Sequence, residues 1–212
     1  MKDRIASLTR EEVHAIYLHQ RESIRRRLGE FSAVPSSEYF YELVYCLLTP
    51  QSSARNAGKA VQLLREHDLF GRAIDPEPLL HRSDFYIRFH RTKAKRILSA
   101  REQFPVIAGH LSNGTSGDET RQWLVNNVEG LGWKEASHFL RNIGHRGLAI
   151  LDRHILKNLI RLGVIGKLPK TLTAKRYLAI EQKFKTFSDS IGIPMDELDL
   201  LFWSMETGEI LK

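Results

Sequence analysis

The run Gly130-Leu131-Gly132-Trp133-Lys134, followed by Asp152, holds an amine and a carboxylate, each at the expected start of a helix. Two glycines let a tight hairpin adopt positive φ and approach a partner closely. From Lys134 to Ile143 the apolar residues Ala136, Phe139, Leu140 and Ile143 fall at helical spacing. Ten helical residues climb roughly 15 Å. Gly144-His145-Arg146-Gly147 turns the chain. Leu148 to Leu151, if extended, returns over roughly 15 Å. Asp152, 18 residues after Lys134, is therefore expected beside it.

The chemistry of such a pair is nucleophilic. A helix N-terminus disfavours a positive charge, and burial does the same. The sequence thus predicts an amine available for covalent catalysis at Lys134. A lysine that only binds a phosphate is the other reading. Asp152 begins Asp-Arg-His-Ile, a good helix cap. A cap held rigidly is also a fixed anion, able to stabilise a sugar oxocarbenium as a glycosidic bond breaks. The N–H groups of Gly132 and Trp133, at a helix start, suit a DNA phosphate. Without the lysine and aspartate the same residues would make an ordinary helical hairpin.

The elements that position these groups read as helix after helix. Thr9 to Glu12 is a capping box, with Val13, Ile16, Ile24 and Leu28 following at helical spacing. Ser36-Ser37 is read as the cap of a second helix to Leu48, and Ser52-Ser53 as the start of a third through Leu64. Pro76 and Pro78 suggest a loop. Thr92 is read as opening a basic helix through Phe104, which Pro105 bends or restarts. Residues 118–128 lead into the hairpin, and helices are expected at Lys134–Ile143, Asp152–Leu162, Thr173–Phe187 and Pro194–Thr207. No segment alternates with period two. The expected fold is all-α, in two helical lobes, because one bundle would have to be very long.

Composition bounds the function. The 212 residues are enough for a real core, and no apolar run is long enough to span a membrane. One cysteine, Cys46, excludes an internal disulfide and any multi-cysteine metal site. Its apolar neighbours suggest a buried thiol. The net charge of +7 suits a polyanionic partner. Basic clusters occur at Arg25-Arg26-Arg27, at Arg91 with Lys93-Lys95-Arg96, and at Arg153 with Lys157 and Arg161. Each is read first as a solvated helix face.

The run Val128 to Ala136 with Leu151-Asp152-Arg153-His154 resembles the helix–hairpin–helix DNA glycosylases of the endonuclease III superfamily. It is most similar to the type 2 8-oxoguanine DNA glycosylase/AP lyases. Leu47 to Ser53 resembles their early helix-end motif, with Gln51 as the glutamine that approaches DNA. Arg88 to Ala94 resembles their loop carrying an aromatic into the base pocket. Trp203 to Lys212 resembles their C-terminus. The likeness spans nearly the whole chain.

The resemblance implies one glycosylase unit over residues 1–212, with DNA between two lobes and the hairpin motif at about 118–143. It implies a flipped 8-oxoguanine stacked by Phe89 and Trp203, with the terminal carboxylate of Lys212 accepting from base N–H groups. Gly130, Gly132, Trp133, Arg153 and His154 would bind DNA. Lys134 would attack C1′ and Asp152 would stabilise the developing charge. No soluble cofactor is needed and no iron–sulfur cluster can form, although hairpins of this kind can hold a monovalent cation on main-chain carbonyls. The expected protein is a prokaryotic, cytoplasmic, nucleoid-associated monomer. It would act on double-stranded DNA containing 8-oxoguanine or abasic sites.

Three alternatives stay open. A relative with another lesion choice would share the scaffold but not the Trp203–Lys212 ending. A monofunctional glycosylase using water would not need Lys134. A non-catalytic DNA-binding module would need the hairpin but not the Lys134–Asp152 pair.

Overall fold

The structure, a computed structural model, describes residues 7–210. Among the described residues ten α-helices follow in order: α1 (Arg10–Ser32), α2 (Tyr39–Leu48), α3 (Ala54–Glu66), α4 (Glu77–Leu80), α5 (His90–Leu111), α6 (Gly117–Asn127), α7 (Trp133–Asn142), α8 (Arg153–Arg161), α9 (Ala174–Ile191) and α10 (Met195–Thr207). Among the described residues there is no strand, only an isolated bridge between His81 and Tyr86. The helices form two compact units. One comprises the described residues of 1–33 and 144–212, the other residues 34–143.

In the 34–143 unit, α2 is the hub. Every residue from Phe40 to Leu48 is buried, and α3, α5 and α7 pack around it. A helix apolar on all sides needs such neighbours. Cys46 lies fully within it, as expected. The one acidic residue of this stretch, Glu42, accepts from Asn142 Nδ2 of α7 at 3.0 Å. The stripe Ala136, Phe139, Leu140 and Ile143 is buried throughout, so the helical spacing of α7 is the packing face.

In the other unit, α1 and α8 both pack on α10, as does α9. Thr9 and Glu12 close the predicted capping box of α1. Tyr17 Oη donates to Glu197 Oε2 at 2.5 Å, with Arg25 Nε 3.2 Å from the same oxygen. Burial, followed by the Glu197 hydrogen bond, holds the Tyr17 phenol above its ordinary range. Arg146 donates to Leu28 O and to Ser32 Oγ, satisfying groups at the C-terminus of α1.

Several boundaries differ from the sequence reading. Ser36-Ser37 opens a single 3₁₀ turn, and α2 starts only at Tyr39. The Pro76–Pro78 segment holds a short helix rather than a loop, since proline in a first turn has no needed N–H to lose. Thr92 does not open α5. The helix begins at His90, after a left-handed Phe89, and runs unbroken through Pro105 to Leu111. Leu148 to Leu151 is non-helical and buried but pairs with no strand.

Candidate active site

The hairpin of the 34–143 unit is built on Gly130. Its φ is 95°, and a Cβ there would lie 2.6 Å from Arg96 Cδ and 3.1 Å from Leu47 Cδ2. Only glycine lets the hairpin sit this close to both α5 and the end of α2. Gly132 is the N-cap of α7, which starts at Trp133, so Lys134 is the second residue of the helix. Glu135 follows. Its Oε1 lies 3.1 Å from Lys134 Nζ, and its Oε2 would be 3.0 Å from a Cβ on Gly132. The carboxylate thus sits over the helix N-terminus, where a negative charge is favoured.

The Trp133 side chain braces the hairpin from inside. Its ring lies 4.9 Å from the guanidinium carbon of Arg121. Arg121 is fully buried, paired with Asp118 at 2.7 Å and donating to Ser137 Oγ at 3.1 Å. What Trp133 offers a phosphate is therefore its backbone at the helix start.

Two residues near the hairpin carry strained backbones. Gln51 and Phe89 have φ of 57° and 58°, and both side chains are exposed. The left-handed region costs a non-glycine residue about 1–2 kcal/mol. Phe89 is 51% exposed, with the Arg88 guanidinium 5.0 Å from its ring centre. An exposed aromatic on a strained backbone has no packing role that accounts for it.

Between these turns lies a residue the sequence reading placed on a solvated face. Lys93 is only 3% exposed. Its Nζ donates to Leu48 O and Pro50 O, both at 2.7 Å, and to Ser52 Oγ at 3.2 Å. Ser52 Oγ also accepts from Arg88 N at 3.1 Å. Burial pushes the Lys93 ammonium down to about 8, with Arg96 and Lys134 acting in the same direction and Glu135 against them. The signal was legible. Lys93 extends the stripe Ile97, Ala100, Phe104 and Ile107 by one step of four, and that stripe is buried.

In the other unit Asp152 is the N-cap of α8, its Oδ1 accepting from Ile155 N at 2.8 Å. The segment before it is anchored by side chains instead of a strand. Gly147 N donates to the Asp196 carboxylate, and Ala149 N donates to Glu181 Oε1 at 2.7 Å. Tyr177 Oη donates to Ala149 O at 2.6 Å and accepts from Leu151 N at 3.2 Å. Arg153 is exposed. His154 turns toward Glu206 of α10, with Nδ1 at 4.0 Å, and Lys157 and Arg161 reach the same carboxylate at 2.6 and 3.7 Å. Two basic residues of this cluster thus pair with an acid, and of these Lys157 stays partly open to solvent. Trp203, one turn before Glu206, is half-buried.

Gln51, Phe89, Gly130, Gly132, Trp133 and Lys134 belong to the 34–143 unit; Asp152, Arg153, His154 and Trp203 belong to the other. Lys212 lies outside the described residues. Among the described residues no three His, Cys, Asp or Glu side chains are grouped to hold a metal, and no helix is long and apolar enough to cross a membrane. What the 34–143 unit can do chemically follows from its parts. It has an amine in the first turn of a helix, backbone donors for an anion, and an exposed aromatic for stacking.

The comparisons with known proteins agree with one another. Residues 24–193 match the Ogg-HhH family, described as 8-oxoguanine DNA glycosylase. A relative from Fusobacterium nucleatum, named 8-oxoguanine DNA glycosylase/AP lyase, is 41% identical over 95% of this chain and 96% of its own. One of the same name from Korarchaeum cryptofilum is 40% identical over 91% of each chain. The crystal structure of Methanocaldococcus jannaschii 8-oxoguanine glycosylase/lyase with a 15mer DNA containing 8-oxoguanine is similar at a TM-score of 0.84 and 31% identity. It covers 96% of this chain and 99% of that one.

Proposed function

The chain belongs to the 8-oxoguanine DNA glycosylase family, and from that premise we propose how its own residues excise 8-oxoguanine and cut the strand. It is a base-excision repair enzyme with glycosylase and AP lyase activities, acting on DNA. The observation that carries the mechanistic reading is Lys134 in the first turn of α7, directly after a hairpin that only Gly130 can close.

The target nucleotide leaves the stack, at a cost of a few kcal/mol. Phe89 and Trp203 stack on the base and offset that cost. In 8-oxoguanine N7 carries a hydrogen, whereas in guanine it is an acceptor. An acceptor in the pocket therefore tests for damage, because undamaged guanine would leave it unpaired.

Lys134, once deprotonated, forms a bond from Nζ to C1′ while the bond from C1′ to the base nitrogen breaks. The base leaves with the electron pair and takes up a proton. Asp152 stabilises the positive charge that develops on the sugar. The amine then expels the ring oxygen to give a Schiff base. Loss of a C2′ proton eliminates the 3′ phosphate, and the strand is cut on that side. Gln51 approaches the lesion, while Arg153, His154 and the hairpin amides of Gly132 and Trp133 hold the DNA backbone.

No soluble cofactor enters this chemistry. Hairpin carbonyls are the groups that would take a monovalent cation. Val128 O and Gly132 O already accept N–H groups of Leu131 and Ala136, and no step runs through such an ion. The enzyme works as a monomer in the cytoplasm, on nucleoid DNA. The test is a duplex with one 8-oxoguanine: strand cleavage without heat or added base supports a linked glycosylase and lyase. Base release with an intact strand would contradict it.

A further inference from the structure

We propose that Lys93 is a positioning residue for the flipped base: from inside the protein it fixes the two left-handed turns that present Gln51 and Phe89. The inference deepens the function proposed above and rests on it for the identity of the base.

Gln51 is bracketed by Pro50 and Ser52, and Lys93 Nζ holds the carbonyl of the first and the hydroxyl of the second. A third donor secures Leu48 O, at the end of α2. Phe89 is held by the same node. Ser52 Oγ, which takes the Lys93 ammonium, also accepts the N–H of Arg88. One buried ammonium therefore ties the backbone on either side of Gln51 to the residue before Phe89. Left-handed backbone at two non-glycine residues persists only where the surroundings over-determine it. Lys93 supplies that determination at both, and no other residue type offers three donors from a point charge on so slender a stem.

A role confined to the base has a signature that general destabilisation lacks. Cleavage at a pre-formed abasic site uses Lys134 and the hairpin but has no base to stack. In Lys93→Met, single-turnover excision of 8-oxoguanine should fall by about tenfold or more. Strand cleavage at an abasic site should stay within about threefold of the native rate. Ser52→Ala, a smaller change, should shift the same ratio in the same direction. Hydrogen exchange at residues 49–52 and 88–90 should quicken in Lys93→Met while α7 stays protected.

Unchanged excision, or an equal loss of both activities, would overturn the proposal. So would unchanged exchange at the two turns, a readout that stands even if the native chain excises nothing. A native chain inactive on both duplexes would instead sink the proposed function.

Discussion

Tyr177 clasps Ala149 and Leu151 with a single hydroxyl, donating to the carbonyl of the first and accepting from the amide of the second. The ring is buried on α9, and the clasped segment ends at Asp152. A phenol that makes both bonds does for this segment what a neighbouring strand would otherwise do. It keeps a non-helical, buried backbone satisfied and fixed in direction.

Tyr177→Phe removes the clasp while keeping the ring. The orphaned carbonyl and amide should cost about 1–3 kcal/mol in urea unfolding. Excision should slow by about tenfold through loss of orientation at Asp152. An undiminished rate constant would mean that the cap alone orients the carboxylate.

Asp152 carries two roles that separate cleanly. Asn caps a helix nearly as well as Asp, so Asp152→Asn should retain stability and DNA binding. It should lose about a hundredfold or more in excision, the usual scale for removing a preorganised charge. Asp152→Ala should lose the same activity and also about 1 kcal/mol of stability. Native activity in Asp152→Asn would leave only the capping role.

Phe89 should show stability and function pulling apart. Glycine takes φ of 58° freely, so Phe89→Gly relieves about 1–2 kcal/mol of backbone strain against about 0.5–1 kcal/mol of added unfolded-chain entropy, and unfolding stability should rise by about 0.5–1 kcal/mol. It removes the stacking surface, so excision of 8-oxoguanine should drop while cleavage at abasic sites persists. A destabilised variant would mean that the ring packs more than its exposure indicates.

Gly130 and Gly114 make a matched pair. Both have positive φ, but a Cβ at Gly114 would meet nothing within 4 Å, whereas at Gly130 it would strike Arg96 and Leu47. Gly130→Ala should therefore lose clearly more stability than Gly114→Ala, by about 1–3 kcal/mol. It should also weaken DNA binding at fixed salt. Equal losses would show that α5 and α2 yield to the hairpin.

Lys93 should shape stability at alkaline pH. Its folded value of about 8 lies below the ordinary 10.5. Between these values the unfolded chain holds a proton that the native protein has released. Stability therefore rises with pH across that window, by up to about 3 kcal/mol from this group. The charges acting on it are those of Arg96 on α5 and of Lys134 and Glu135 on α7. Urea unfolding at pH 7 and pH 10 should show the native increment shrink in Lys93→Met. An identical pH dependence in both proteins would contradict the burial argument.

The helices were legible because their packing stripes and caps are local. Thr9, Ser53, Ser116, Thr173 and Asp152 each cap the helix they precede. The hairpin glycines and Lys134 were legible for the same reason. The start of α5 was not. It follows the left-handed Phe89, and the neighbouring Arg88 N–H is taken up by Ser52 Oγ, a partner remote in sequence. Lys93 read as one more basic residue because charge patterns do not reveal which cation has found buried carbonyls. Arg121 was hidden likewise, its burial set by Trp133 and Ser137 across the hairpin. The return segment before Asp152 read only as a run that could be extended; what anchors it, the side chains of Glu181 and Tyr177 on α9 and Asp196 on α10, is remote in sequence and leaves no local pattern.

The central claim is the covalent role of Lys134. Borohydride reduction during reaction with a duplex carrying one 8-oxoguanine should trap a protein–DNA adduct with the native chain and none with Lys134→Gln. Base release without a native adduct, or an equal adduct with Lys134→Gln, would contradict it.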